Sequence, residues 1–301
     1  MSRTPTRLTR TACVVFAALL LTASAARAAG PGKDLVKPQL LADVASVQPG
    51  STFTVGVLLD VAAGWHVYWT NPGDSGLAPT VKFKLPEGFT AGPLRFPTPE
   101  RFTPGADQVA YGYGGSVMLT ASVKAPADLK PDAPVAIGAN LSWLVCSEAC
   151  VPGKGKVELS LPVSKDAAPA DERTAKLFRQ WSARLPADAA DSPDVAKLEW
   201  AADPKPGTAT LTVTWKGAAR AINLFPTADD SADVRTTSAQ DQGNKTTITV
   251  SVRPLAGRKA RTDPLPAVLG YTAKEGERRG VKTDVPAAAF AAAPGKETTT
   301  K

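Results

Sequence analysis

The chain has 301 residues, more than one average domain, so its length suggests two domains of about 150 residues each. Hydrophobic residues make up 43% of it and charged residues 21%, which excludes collagen-like, coiled-coil and wholly disordered chains. The formal net charge is +7, but four arginines and no acid lie in residues 1–28, so the rest carries only +3, without long basic runs. This pattern gives no support for nucleic-acid binding.

Residues 1–28 have the pattern of a secretory signal peptide. Arginines precede an apolar run at residues 12–21, and Ala26, Arg27 and Ala28 form a small-x-small cleavage site. The run is too short to span a membrane comfortably, which argues against an uncleaved anchor. No later stretch has about 18 consecutive apolar residues, so we expect cleavage near Ala28, export from the cytoplasm and no stable membrane insertion.

After residue 28 the dominant hydrophobic period is two, which is typical of half-buried strands. The alternating segments of the first half are 52–57, 81–85, 116–120, 140–143 and 156–161. Turn sequences with Pro or Gly separate them, at Pro49-Gly50, Asn71-Pro72-Gly73-Asp74, Pro86-Glu87-Gly88 and Pro152-Gly153. Short strands joined by such turns predict a β-sandwich over residues 29–165.

An Ala/Pro/Asp-rich segment at 166–171 marks a linker, and one helix follows it. Leu177, Phe178, Trp181 and Leu185 share a helical face, and we expect Pro186 to end the helix. The period of two returns at residues 208–215, 221–225 and 245–252. We therefore predict a linker with a helix at 166–188, a second, smaller β domain of unassigned role at 189–285, and a flexible tail at 286–301.

Residues that carry chemistry are few. The single histidine, His66, excludes a histidine-rich metal site and would have to serve any Ser-His-Asp arrangement alone. Gly112-Tyr113-Gly114-Gly115 lacks the Lys-Ser/Thr and the strand-to-helix context of a phosphate loop. We therefore interpret it as a turn and expect no nucleotide cofactor.

Cys13 lies in the predicted signal, which leaves Cys146 and Cys150, and two cysteines so close in an oxidising compartment tend to pair. Extended residues at this spacing lie about 13 Å apart, whereas disulfide Cα atoms lie about 5.5 Å apart. The strand must therefore end at Cys146 and turn back before Cys150. Because so short a loop restrains little chain entropy, the bond adds little stability, and the residues leave both a structural staple and a redox pair open.

The stretch from Gly64 to Val163 resembles the N-terminal periplasmic domain of the thiol:disulfide interchange protein DsbD, in the form found in its suppressor-of-copper-sensitivity relatives. The matching motifs are Gly-Trp-His-Val-Tyr-Trp at 64–69, Asn-Pro-Gly-Asp-Ser-Gly at 71–76, Tyr-Gly at 111–112 and Trp-Leu-Val-Cys-x3-Cys-x-Pro-Gly at 143–153. The resemblance implies a periplasmic immunoglobulin-like β-sandwich for the first domain. Together with the second, smaller β domain that the alternation predicts, we expect an all-β chain of two sandwich-like domains. It also implies disulfide exchange through Cys146 and Cys150, with Cys150 attacking the partner.

In that family a membrane domain reduces the cysteine pair, which then passes electrons to periplasmic disulfide isomerases or to the cytochrome c maturation thioredoxin. Full-length relatives continue into membrane and thioredoxin domains that have no counterpart in this sequence. The resemblance therefore implies a relay component of the protein-disulfide reductase type, with a separate membrane-embedded reductase as donor and thioredoxin-fold acceptors. It implies no cofactor.

The family also shields its cysteines with a cap loop that carries an aromatic pair before a glycine. The corresponding stretch here is 108–112, so the resemblance makes Gln108 and Tyr111 cap residues, although Ala110 replaces the first aromatic. Tyr68 and His66 occupy positions where the family places tyrosines beside the cysteines, and the histidine adds a group that titrates near neutral pH.

Two other functions stay open. Cys146 and Cys150, together with His66 or Met118, suit a Cu(I) site and a role in copper tolerance, although such ligands are scarce in this chain. Alternatively, an inert disulfide would make the chain a non-catalytic assembly factor built from β-sandwiches.

Overall fold

The structure is a computed structural model that describes residue 32 and residues 34–290, except for residues 106–107, 132–133, 167, 203–206 and 260. Within this part of the chain, strands dominate and a single α-helix separates two sets of sheets, so the predicted all-β class is confirmed. None of the helices described there has the length and hydropathy that a membrane span needs. The predicted signal peptide and residues 291–301 of the predicted tail lie outside the described residues.

The first set of sheets forms a sandwich around one core. Its strands are β1 (Val36–Ala42), β2 (Val44–Ser46), β3 (Thr52–Val61), β4 (His66–Gly73), β5 (Thr80–Lys84), β6 (Thr90–Ala91), β7 (Glu100–Gly105), β8 (Gln108–Gly114), β9 (Ser116–Lys124), β10 (Val135–Cys146), β11 (Cys150–Leu161) and β12 (Ala168–Pro169). One sheet has the order β1-β3-β9-β6, and the other has the order β11-β10-β4-β8-β7, with β5 also paired to β10. Strands β2 and β12 form a separate pair.

The alternation of side chains decides which residues face the core. Val67 and Trp69 of β4 and Val145 of β10 are buried between the sheets, where full burial of an apolar side chain stabilises the fold by roughly 1.5–3 kcal/mol. Because neighbouring residues of a strand point to opposite faces, His66 and Cys146 lie together on the outer face of this sheet.

The helix α1 (Glu172–Ser182) packs on the outside of the other sheet. It begins at Asp171, whose carboxylate accepts a hydrogen bond from the backbone N–H of Thr174 (3.1 Å). Its Phe178 ring lies over Gly56 of β3, where a Cβ atom would come within 3.2 Å of it. The helix ends at Ser182 and not at Pro186, because turns within residues 181–185 take over the backbone hydrogen bonds before the proline is reached.

The second set of sheets encloses its own core. Its strands are β13 (Val195–Ala202), β14 (Thr208–Trp215), β15 (Ala219–Pro226), β16 (Ala232–Gln242), β17 (Lys245–Pro254), β18 (Leu265–Ala273) and β19 (Arg278–Val285). They form a four-stranded sheet, β13-β14-β17-β16, and a three-stranded sheet, β15-β18-β19. A 3₁₀ turn at Ala287–Phe290 follows, and Phe290 is 2% exposed, so the first residues of the predicted tail are ordered because they complete this core.

Three glycine-containing segments that we interpreted as turns lie wholly or largely in strands, and the first of them, residues 71–73, forms the end of β4. Pro152 and Gly153 lie within β11, an edge strand, where proline leaves no hydrogen bond of the sheet unmade. Trp143 packs on Gly153, since a Cβ atom there would lie 2.3 Å from the indole Nε1. Residues 112–114 form the end of β8, and only Gly115, with φ +66°, makes the turn.

Candidate functional site

Cys146 and Cys150 form a disulfide at the tip of the β10–β11 hairpin. Strand β10 ends at Cys146, β11 begins at Cys150, and their Cα atoms lie 4.2 Å apart, so the predicted reversal of the chain is confirmed. Cys146 is 2% exposed, whereas Cys150 is exposed. An approaching thiol therefore meets Cys150 first.

Tyr68 packs beneath the exposed cysteine. Its hydroxyl oxygen lies 3.7 Å from the Sγ atom of Cys150, and its ring is almost fully buried. Gly76 presses its backbone on this ring, because a Cβ atom at Gly76 would lie 2.3 Å from Cε1 of Tyr68. Burial raises the pKa of Tyr68, so the phenol stays protonated at neutral pH and can donate to a sulfur atom.

His66 is the neighbour of the buried cysteine. It faces Cys146 across the β4–β10 pairing and packs edge-on against Tyr68, with ring centroids 5.2 Å apart. Its Nε2 atom has no hydrogen-bond partner among the described residues. Burial lowers the pKa of His66, so a neutral imidazole stands beside the disulfide at neutral pH.

Phe102 supplies the aromatic ring that the predicted cap lacks. It stacks on His66 with ring centroids 4.6 Å apart and 14° between the planes. Phe102 faces Ala110 across the β7–β8 hairpin, and Ala110 packs with Tyr68 and Cys146 on the outer face. Phe102 is not among the site residues predicted from the sequence, although the Pro104-Gly105 turn signal could have placed it opposite Ala110.

Tyr111, which we expected over the disulfide, lies on the opposite face of the sheet. It follows Ala110 in β8 and therefore points inward, where its ring packs against Phe225 of β15 with centroids 5.1 Å apart. Burial raises its pKa. Tyr113 also points inward and donates a hydrogen bond to the carbonyl of Pro97 (2.6 Å). Gln108 is exposed at the tip of the hairpin, paired with Gly105.

An open groove of about 490 Å³ runs beside the disulfide loop. Its lining comes from the β3–β4 loop, the first residue of β4, strand β7 and the loop between the cysteines: Ala63, Gly64, Trp65, His66, Phe102, Thr103, Pro104, Ser147 and Glu148. The groove leads past Phe102 to the cysteine loop, and Glu148 contributes an acidic side chain to its wall.

The copper alternative requires ligands near the cysteines. The described residues contain no group of three or more His, Cys, Asp or Glu side chains placed to hold a metal ion. Met118 lies in the other sheet, where its sulfur atom would be 2.6 Å from a Cβ atom at Gly56, under the helix. The structure thus brings His66, but not Met118, to the cysteines.

Comparisons with known proteins bear on the first sandwich and on the fold of the chain. Residues 33–162 match the family described as thiol:disulfide interchange protein DsbD, N-terminal. The crystal structure of the N-terminal periplasmic domain of ScsB from Proteus mirabilis is similar over 85% of this chain and 95% of that one, with 19% identity and a TM-score of 0.62. A search of the curated proteins gave no match to this sequence.

The DsbD N-terminal domain of Neisseria meningitidis in its reduced form aligns over 46% of this chain and 94% of its own length, at 16% identity and a TM-score of 0.28, a value too low for comparing folds. The match to ScsB shows a shared fold, and the predicted immunoglobulin-like sandwich is confirmed. The family match and the disulfide together support thiol–disulfide exchange as the general chemistry. Residues 33–162 of this chain match the family of DsbD N-terminal domains, and the chain shares its fold with the N-terminal periplasmic domain of ScsB.

Proposed function

We propose that this chain relays electrons through Cys146 and Cys150 from a membrane-embedded reductase to thioredoxin-fold proteins in the periplasm. The observation that carries the proposal is the unequal exposure of the two cysteines within one hairpin. An exposed cysteine can reach a partner, and a buried one four residues away can resolve the bond that forms.

The two sulfur atoms have different roles in the proposed exchange, which transfers two electrons. In the reduced chain, the Cys150 thiolate attacks the disulfide of a partner, forms a mixed disulfide and releases one partner thiolate. The Cys146 thiolate then attacks the Sγ atom of Cys150 and releases the second partner thiolate. The partner gains two electrons and the chain is left with the Cys146–Cys150 disulfide, which the membrane reductase reduces by the reverse sequence.

The surrounding side chains have distinct roles in this scheme. Tyr68 donates a hydrogen bond to the Cys150 thiolate, because its hydroxyl already lies in contact range of that sulfur. Neutral His66 and the Phe102 ring stacked on it keep water and small thiols from the buried side of the pair. This shield replaces the Tyr111 cap that the family resemblance implied.

Two observations support a periplasmic location for this exchange. The structurally similar domain of ScsB is described as periplasmic, and a disulfide persists in an oxidising compartment. Acceptors of either kind, disulfide isomerases or the thioredoxin of cytochrome c maturation, present the disulfide that Cys150 needs. The thiolate attack is common to both.

Trapping of the mixed disulfide tests the assignment. A Cys146→Ala variant, incubated with an oxidised thioredoxin-fold isomerase, should accumulate a covalent complex on a non-reducing gel, because the resolving thiol is gone. The matched Cys150→Ala variant should trap much less, since Cys146 is buried. Equal trapping by both variants, or by neither, would contradict these roles.

A further inference from the structure

The second sandwich is fastened to the part of the first sandwich that leads to the disulfide. Arg278 of β19 donates hydrogen bonds from Nε (3.1 Å) and Nη2 (2.8 Å) to the carbonyl of Pro99. Its third donor, Nη1, reaches the carbonyl of Ala221 (2.8 Å). The guanidinium also lies over the Phe225 ring, 5.5 Å from its centroid. One largely buried cation thus ties residues 97–102 to two strands of the second sandwich.

Thr98 is inserted into the second sandwich beside Arg278. Its side chain is 3% exposed and occupies the space above Gly270 and Gly280, where Cβ atoms would come within 2.8 Å and 2.1 Å of it. Its backbone N–H and hydroxyl both donate to the carbonyl of Arg184, at 2.8 Å and 3.0 Å. The segment that leads into β7, the strand that carries Phe102, is therefore held by Gly270, Gly280 and the carbonyl of Arg184.

A second set of contacts holds the loop that covers Tyr68. The side-chain amide of Asn71 donates to the carbonyl of Pro226 (2.9 Å), and its oxygen accepts from the N–H of Gly73 (3.0 Å). Asp74 forms an ion pair with Arg235 of β16. Residues 71–76 end at Gly76, whose backbone packs on the Tyr68 ring.

Phe225 connects the two sets. It is fully buried, belongs to the core of the first sandwich, and receives the rings of Trp69 and Tyr111 edge-on, with centroids 6.2 Å and 5.1 Å away. Trp69 precedes the loop that covers Tyr68, and Tyr111 follows Ala110 in the hairpin opposite Phe102.

We propose that the second sandwich is a clamp that controls access to the disulfide by holding the two shield segments, residues 71–76 and 97–102, with Arg278 as a positioning residue. The proposal rests on the proposed exchange function and deepens it. The shield segments carry the groups that enclose the cysteines, Gly76 on Tyr68 and Phe102 on His66. Loosening the second sandwich from either segment frees these groups without altering the cysteines themselves.

The test measures how fast dithiothreitol reduces the disulfide in the intact, folded chain. Reduction converts the disulfide to two thiols and dithiothreitol to its cyclic disulfide. Arg278→Ala should raise the second-order rate constant by roughly tenfold, the factor that corresponds to losing a hydrogen bond of a charged donor. Arg278→Lys should restore part of the protection, because the ammonium group can still donate to Pro99.

The neighbouring arginine provides a matched control. Arg279 pairs only with Asp194 and Glu277 among the described residues, both in the second half of the chain. Arg279→Ala therefore removes a similar charge and similar hydrogen bonds without touching a shield segment, and its rate constant should equal that of the wild type. A second pair of variants adds only a methyl group: Gly280→Ala pushes on Thr98 and also on Val268, whereas Gly217→Ala meets nothing within 4 Å.

Three results would overturn the clamp. The first is an unchanged rate constant in both Arg278→Ala and Gly280→Ala. The second is a rate constant for Arg279→Ala that rises as much as that for Arg278→Ala. The third is an increase that only follows the fraction of unfolded protein. The wild-type control separates the clamp from the exchange function. If dithiothreitol opens the disulfide of the folded wild type but the variants react no faster, the relay stands and the clamp fails. If it opens the wild type only after unfolding, the exchange function itself fails.

Discussion

The hydroxyl oxygen of Tyr68 lies 3.7 Å from the Sγ atom of the exposed cysteine, Cys150. The side chain that makes this contact is itself 1% exposed, so the protein places a protonated donor beneath the exposed sulfur atom. In the disulfide the contact is weak, since sulfur is a poor acceptor. In the reduced protein that the proposed relay requires, we expect it to become a hydrogen bond to a thiolate.

Removing this donor should make the Cys150 thiol less acidic. Tyr68→Phe keeps the ring but loses the hydroxyl, so we expect the pKa of the Cys150 thiol to rise by about one unit. The reduction potential should fall by at most about 30 mV, because the reduced state loses its stabilised thiolate. The thiolate absorbance followed against pH measures the first effect. An unchanged thiol pKa would show that the hydroxyl contributes packing alone.

The contact of Gly76 with the Tyr68 ring predicts a large difference between two glycine substitutions. Gly76 and Gly64 both have positive φ, +116° and +79°, so alanine is strained at each. Only at Gly76 does the new methyl group also collide with a buried ring, whereas nothing lies within 4 Å of Gly64. Gly76→Ala should therefore cost about 1–3 kcal/mol more than Gly64→Ala in urea unfolding. Equal costs would mean that the ring moves away freely.

Phe102 and Tyr111 should respond in opposite ways to truncation. Phe102→Ala should accelerate reduction by a small monothiol at a stability cost of about 1 kcal/mol, because the half-buried ring covers His66 and the disulfide. Tyr111→Ala should cost about 3–5 kcal/mol, because the ring fills the contact with Phe225. Phe83→Ala, a half-buried phenylalanine of β5, is the control for Phe102. If Tyr111→Ala stays fully folded and is reduced faster than the wild type, Tyr111 has the cap role that the family resemblance implies.

His66 should make the protein less stable in mild acid. Its pKa is lowered by burial, so the folded state binds fewer protons than the unfolded chain, in which histidine titrates near about 6.5. The stability that neutral His66 contributes is therefore complete above about pH 6.5, and it is lost as the pH falls through the pKa of His66 in the folded state. His66→Phe keeps the stack on Phe102 without a titrating group, so its free energy of unfolding should fall less between about pH 7 and about pH 5. Parallel profiles would mean that groups other than His66 cause the loss.

Alternating sequences were predictable because one face of each strand is buried. Residues 208–215 give a clean alternation, and β14 has those bounds. Strand β4 was missed because four consecutive residues from His66 are buried, two in the core and two under the shield segments, so no alternation is visible. Strand β18 was missed for the same reason, with Ala267 to Tyr271 buried without a break.

The parts of the site that depend on residues close together in the sequence, or on the family motifs, were predictable. The spacing of Cys146 and Cys150 defined the hairpin tip, and the family resemblance brought Tyr68 and His66 to it. The shield was not predictable from these patterns, because it depends on Phe102 pairing across a hairpin and on Arg278 binding a carbonyl 179 positions away. Contacts between distant strands leave no local signature. The resemblance also could not show that Ala110, and not Tyr111, faces the cysteines.

The reduction potential of Cys146–Cys150 in the folded protein tests the central claim most directly. Equilibration with glutathione or dithiothreitol buffers, with the near-ultraviolet circular dichroism of the tryptophans recorded at each point, gives the potential and the folded fraction together. A relay pair should equilibrate while the protein stays folded, at a potential above about −300 mV. A potential below about −300 mV, or loss of the tryptophan signal on reduction, would show that the disulfide is a structural staple.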